Sequence, residues 1–130
     1  MLRKRITRLL VCLVGFASTI FLPAQGQVWD FLGDKLIDPT QDHDKIQVTR
    51  RTGTFHALQL RVSDAIFFDR VVVHFGDGTS EELALRGRIW PGGENHIIGL
   101  SGERRMVESV ELWYYKEPWE HQPRVILYGS

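Results

Sequence analysis

The sequence predicts an all-β protein, an antiparallel β-sandwich of seven to nine short strands behind an N-terminal signal helix. Three observations carry that prediction. Apolar and polar residues alternate at period two in segment after segment. Turn residues punctuate those segments roughly every 8–12 residues, the spacing of sandwiches and barrels. After residue 26, no segment holds apolar residues at helical spacing over three turns.

The first 26 residues read as an export signal. Arg3, Lys4, Arg5 and Arg8 make a positive start, and Leu9 to Leu22 is an apolar run broken only by Gly15, Ser18 and Thr19. Pro23 ends the run, and Ala24-Gln25-Gly26 puts small residues at −3 and −1, so cleavage is expected before Gln27. The run is shorter than the ~20 apolar residues of a membrane span. Residues 1–26 are thus a signal peptide and residues 27–130 the β-sandwich domain, periplasmic or secreted.

Cleavage after residue 26 of 130 leaves 104, enough for one compact domain. Four of the 16 Lys+Arg and none of the 16 Asp+Glu lie in the signal, so 12 basic against 16 acidic side chains give the domain a net charge of −4. A mildly acidic domain without a basic cluster is poorly suited to nucleic acid or anionic membranes. The single cysteine, Cys12, leaves with the signal, and Val11 before it does not suit a lipoprotein site. The domain has no disulfide, thiol nucleophile or thiolate ligand, so its core must hold it together.

The elements follow in order. Trp29 to Leu32 starts a strand that Gly33-Asp34 is expected to interrupt, and Lys45 to Val48 is a second, with Ile46 and Val48 on one face. From Phe55 to Val62, Leu58, Leu60 and Val62 point in while Gln59 and Arg61 point out. Ile66 to Phe75 is the most apolar stretch: Val71, Val73 and Phe75 share a face, and Val72 on the other suggests both sides are covered. Gly76-Asp77-Gly78 supplies a tight hairpin turn. Thr79 to Leu85 returns with Leu83 and Leu85 inward, Arg86 to Trp90 runs to a Pro91-Gly92-Gly93 corner where Trp90 is expected to plug, and His96 to Leu100 is a short strand. Val107 to Tyr115 sets Val110, Leu112 and Tyr114 on one face against Ser109, Glu111, Trp113 and Tyr115 on the other. A loop with Pro118, Trp119, His121 and Pro123 leads to Arg124–Tyr128, where Val125 and Leu127 oppose Ile126 and Tyr128.

The order of these pieces resembles a family of small exported bacterial proteins of unknown function, the YaaI-like group. The similar features are Leu32-Gly33, Lys45-Ile46-Gln47-Val48, Leu58-Gln59-Leu60-Arg61-Val62, Val71 to Phe75, Arg105-Met106-Val107 before Val110 and Leu112, and Val125-Ile126-Leu127-Tyr128-Gly129. Members of that group carry cysteines in the mature chain, and this chain has none. The resemblance implies a periplasmic β-sandwich and brings no catalytic residue.

Candidate sites each have a plainer reading beside them. Asp38, Asp42 and Asp44 put three carboxylates within seven residues of a loop and can supply oxygen ligands to Ca²⁺. The segment lacks the glycine and distal glutamate of a helix-loop-helix calcium loop, and a turn whose aspartates bond nearby backbone N–H groups is the favoured reading. The five histidines show no zinc-pair spacing; half-buried, satisfied histidines at a sheet end account for His56 and His74. Ser101 lacks the glycine pattern of a nucleophile elbow, which disfavours a small hydrolase. The aromatic residues give the best functional signal. Trp113, Tyr115 and Trp119, with Glu111 and Arg124, form a surface for a saccharide or an envelope protein if that face is open, and cover for the second sheet if it is not. The expectation is a non-enzymatic binding or structural module of the cell envelope with no cofactor, Ca²⁺ excepted. A carbohydrate- or calcium-binding module is the alternative.

Overall fold

A computed structural model describes residues 28–49, 53–92 and 96–130. The expected signal segment and its cleavage point lie outside them. Nine strands and no helix form there: β1 (Asp30–Leu36), β2 (His43–Gln47), β3 (Ala57–Val62), β4 (Ile66–Phe75), β5 (Ser80–Glu82), β6 (Gly87–Ile89), β7 (His96–Gly99), β8 (Val107–Tyr114) and β9 (Arg124–Gly129). All pair antiparallel, in one sheet of order β1-β9-β3-β7 and another of order β2-β8-β4-β5. β6 lies beside the first half of β4, along the same edge as β5. The expected sandwich is the observed fold.

Period-two alternation fills the space between the sheets. Leu58, Leu60, Val62, Val71, Val73, Phe75, Leu83, Leu85, Val110, Leu112, Val125 and Leu127 are all buried, as their parity requires. Val72 is buried on the opposite side of β4, so that strand is covered on both faces. The hairpin after β4 turns at Gly78, whose φ of 91° suits glycine. Asp77 Oδ1 accepts hydrogen bonds from the Thr79 amide at 2.9 Å and its hydroxyl at 2.6 Å.

Three details differ from the pattern-based expectation. β1 runs straight through Gly33-Asp34, absorbing the interruption as a bulge between Phe31 and Gly33. Gly33 is there for closeness: a Cβ on it would lie 2.5 Å from the Gln47 carbonyl oxygen. Gln59 does take the outward side of β3, yet it is only 1% exposed, set between its cross-strand neighbours Tyr128 and Ile97. Trp90 plugs nothing: it is 62% exposed, with the Arg88 guanidinium 5.6 Å from its ring centre.

The two long sides of the sandwich are unlike. At Gly33, β1 of one sheet meets the end of β2 from the other, and the Thr49 amide donates to the Leu32 carbonyl at 2.9 Å. On the far side β7 pairs only with β3, and β6 only with β4. A cleft of about 310 Å³ separates them, with Leu85, Ile89, Ile97 and Ile98 in its walls.

Candidate functional site

Strand β8 is the middle of the site. Its inward residues Val110, Leu112 and Tyr114 are committed to the core, which leaves Ser109, Glu111 and Trp113 on the outer face. Flanking strands bring specific partners to each. His43 of β2 and Arg70 of β4 lie on either side of Trp113, Lys45 and Val72 beside Glu111, and Gln47 and His74 beside Ser109.

The Trp113 row is a stack. The His43 ring lies 4.5 Å from the indole at an interplanar angle of 22°, and the Arg70 guanidinium sits 4.6 Å from its centre. Because β2 and β4 are on opposite sides of β8, the two cover opposite faces of the indole. Arg70 Nε then donates to Glu82 Oε1 at 3.0 Å, extending the row to β5. Trp113 therefore presents an edge, not a flat platform, and stacking of a sugar ring on it is closed off.

Glu111 stands between two histidines. Its Oε2 lies 2.7 Å from His43 Nε2 and its Oε1 2.5 Å from His74 Nε2. Burial raises the Glu111 pKa, but hydrogen bonds from His74 and His43 more than offset it, so the carboxyl sits below its ordinary value of 4.5. An ionised carboxylate only accepts, so each imidazole donates its Nε2–H to Glu111.

The two ring nitrogens meet on one carboxylate although their strands are not neighbours: His43 is opposite Trp113 and His74 opposite Ser109, on either side of β8. Among the described residues no group of three or more His, Cys, Asp or Glu is placed to hold a metal ion.

Tyr115, one residue beyond β8, is tied to β4 through its amide, which donates to the Phe67 carbonyl at 3.0 Å. Its ring is 5.2 Å from Phe67 and 49% exposed, while its hydroxyl lies 3.3 Å from both Asp69 Oδ1 and Arg86 Nη2. A cleft of about 240 Å³ opens there, walled by Trp113 and Tyr115 with Asp42, Asp69 and Lys116 around it.

The other expected members lie elsewhere. Trp119 packs against the core, 6.3 Å from the inward-facing Tyr114, and its Nε1 donates to the Ala65 carbonyl at 2.9 Å. It plugs one end of the sandwich because the Pro118 loop folds inward. Arg124 belongs to β9 in the opposite sheet and pairs with Asp34. The five residues grouped from sequence thus reduce to Glu111, Trp113 and Tyr115.

The three aspartates also divide. Asp38 Oδ1 accepts from the Thr40 hydroxyl at 2.7 Å and amide at 2.9 Å, which hold its pKa below 3.8. Asp44 is buried, and its Oδ2 accepts the Tyr114 hydroxyl at 2.7 Å. Burial, then the bond to Asp44 and the negative charge around it, push the Tyr114 phenol far above its ordinary value of 10.0. Asp42 lines the Tyr115 cleft. The calcium reading of Asp38, Asp42 and Asp44 loses its geometry: one caps a turn, one anchors a tyrosine and one faces a cleft.

Sequence reasoning missed Arg70, Asp69, Lys45 and both histidine contacts. His43-x-Lys45-x-Gln47 alternates with the apolar residues of β2 and so marks a polar outer face, but only the register against β8 shows what that face meets.

A family model described as a domain of unknown function (DUF2541) matches residues 7–129, beginning inside the segment read as a signal. No curated protein and no solved structure matches the chain.

Proposed function

The chain belongs to this family of unknown function, and from that premise we propose that it is an exported, non-enzymatic binding module of the bacterial cell envelope. Its working surface in this reading is the outer face of the five-stranded sheet. The kind of protein is the one the YaaI-like resemblance implies, periplasmic or secreted. The observation that carries the proposal is the Tyr115 cleft. A half-exposed ring there stands beside Trp113, with Asp42, Asp69 and Lys116 as hydrogen-bonding groups of both kinds. An aromatic wall with convergent polar side chains suits a saccharide, which offers C–H faces to the ring and hydroxyls to the carboxylates. Asp69, held by Arg86 at 3.1 Å, is set in place before any ligand arrives. The Arg70–Glu82 and Arg86–Asp69 pairs of this face are exposed and add little stability, which leaves recognition as a role for them.

Among the described residues no helix is long and apolar enough to cross a membrane. The reading includes no cofactor and no nucleic acid.

A glycan array tests it, using wild type and Tyr115→Ala with Asp69→Asn as a second variant. Saccharide binding lost in both folded variants supports the reading. Binding that survives both, or a wild-type array with no hits beside a specific crosslinked envelope protein, overturns the saccharide. Mass spectrometry of exported material is expected to show an N-terminus at Gln27, and an intact Met1 defeats the export reading.

A further inference from the structure

The same sheet face carries a second cleft, at the other end of β8. Ser109 is the short residue in the row between Gln47 and His74, and the gap above it is about 180 Å³. Lys45, Gln47, His74, Thr79, Glu108 and Ser109 line it, with the hairpin after β4 closing one end. Ser109 is only 3% exposed, yet its hydroxyl has no hydrogen-bond partner among the described residues. Lys45 has no ion pair and the Gln47 side-chain amide no hydrogen bond among them either. A buried hydroxyl without a partner is costly. Here it faces a concave space beside an uncommitted ammonium and an uncommitted amide.

We propose that this cleft is a binding site for a small monocarboxylate, with Lys45 supplying the charge and Ser109 and Gln47 the neutral donors. The donor set decides the class: an ammonium, a hydroxyl and an amide N–H₂ all point at an oxyanion. Size and charge narrow it. The space holds roughly six waters at ~30 Å³ each, well below the ~300 Å³ where drug-sized ligand pockets begin, so the occupant is a few heavy atoms. Glu108, the one carboxylate among the lining residues, offsets Lys45. A single compact negative charge is matched there, and a doubly charged anion such as hydrogen phosphate at pH 7.5 is disfavoured.

His74 makes the site responsive to pH. Its Nε2–H is committed to Glu111, so Nδ1 is an acceptor in the neutral ring and becomes a donor only on protonation. The charged groups around it are Glu111 and Glu108 on β8, Lys45 on β2 with His43 reached through Glu111, Glu82 on β5, and Asp77 in the hairpin, itself paired with Arg105. A proton on His74 adds a cation and a donor on the ligand side, so carboxylate affinity rises as pH falls. The site stands apart from the saccharide reading, which concerns the cleft at Tyr115.

The test is titration of the ¹⁵N-labelled protein with acetate, inorganic phosphate and chloride at matched ionic strength, followed by amide shifts at pH 7.5 and 5.5. Acetate is expected to give saturable shifts at Gln47, His74 and Ser109, tighter at pH 5.5. Lys45→Met weakens them about ten-fold, the loss of one charge-assisted hydrogen bond, and Ser109→Ala weakens them less. Arg61→Met, an equal charge removed from β3 of the opposite sheet, leaves them unchanged. His74→Gln keeps a donor toward Glu111, and so retains binding at pH 7.5 while abolishing the gain at pH 5.5. Identical shifts with chloride, tighter binding of phosphate, or acetate shifts indifferent to Lys45→Met each overturn the proposal.

Discussion

At the scale of single residues, the fold tolerates a few polar groups that a simpler design would exclude. Gln59 is the clearest: it is 1% exposed and its amide has no hydrogen-bond partner among the described residues. Gln59→Met keeps the length and removes the polar atoms, so it is expected to stabilise the protein by about 1 kcal/mol. That corresponds to a rise in Tm of roughly 4–8 °C by calorimetry. Tyr114 is the opposite case, because its hydroxyl satisfies the buried Asp44. Tyr114→Phe leaves that carboxylate short of a donor and is expected to cost about 1–3 kcal/mol in urea unfolding. Glu111 links stability to pH. Its folded pKa lies below 4.5, so it contributes stability above the unfolded value and loses it as pH falls through the lowered folded one. Glu111→Gln is therefore expected to be about 1 kcal/mol less stable than wild type at pH 6, the figure being kept small because the site is partly solvated. The two proteins converge once pH falls below the lowered folded value, and equal pH slopes in denaturant titrations would contradict the assignment.

At the scale of elements, the junction of β1 and β2 depends on the missing side chain at Gly33. Gly33→Ala puts a carbon 2.5 Å from the Gln47 carbonyl oxygen, against backbone that has nowhere to move. The expected cost is about 1–3 kcal/mol in chemical denaturation, as for other overpacked sites. Strand existence and facing were legible in the sequence because one period-two pattern sets both. The Val71–Val73–Phe75 and Val110–Leu112 faces could not be inverted without exposing the core. Pattern reading failed where tertiary closeness overrides local composition. Gly33 looks like a breaker but is a contact, Gln59 looks solvated but is covered by neighbours from two other strands, and Trp90 looks structural but stands in solvent. The site was half legible for a related reason. Trp113 and Glu111 follow from the parity of β8, whereas His43, Arg70 and His74 join them only through a register between strands distant in sequence. Trp119 and Arg124 were misplaced because a loop and the opposite sheet have no periodicity to anchor them to β8.

At the scale of the whole molecule, the five-stranded sheet carries both proposed sites and the four-stranded sheet backs it. Two clefts at opposite ends of β8, separated by the Glu111 row, make one face responsible for both proposed binding events. β4 and β8 pair over Phe68–Phe75 and hold that face rigid from the centre. The unequal sides of the sandwich have a dynamic consequence. One flank is sewn shut where β1 crosses to β2, and the other is a mouth between β6 and β7. Excursions from the native state are therefore expected to begin with β6 and β7 parting while the β1 flank acts as a spine. Deuterium uptake is expected to run in that order, first β7 and β6, then β5, with β4 and β8 last. Ile89 and Ile98 would be the earliest interior side chains to meet an amphiphile such as a detergent monomer.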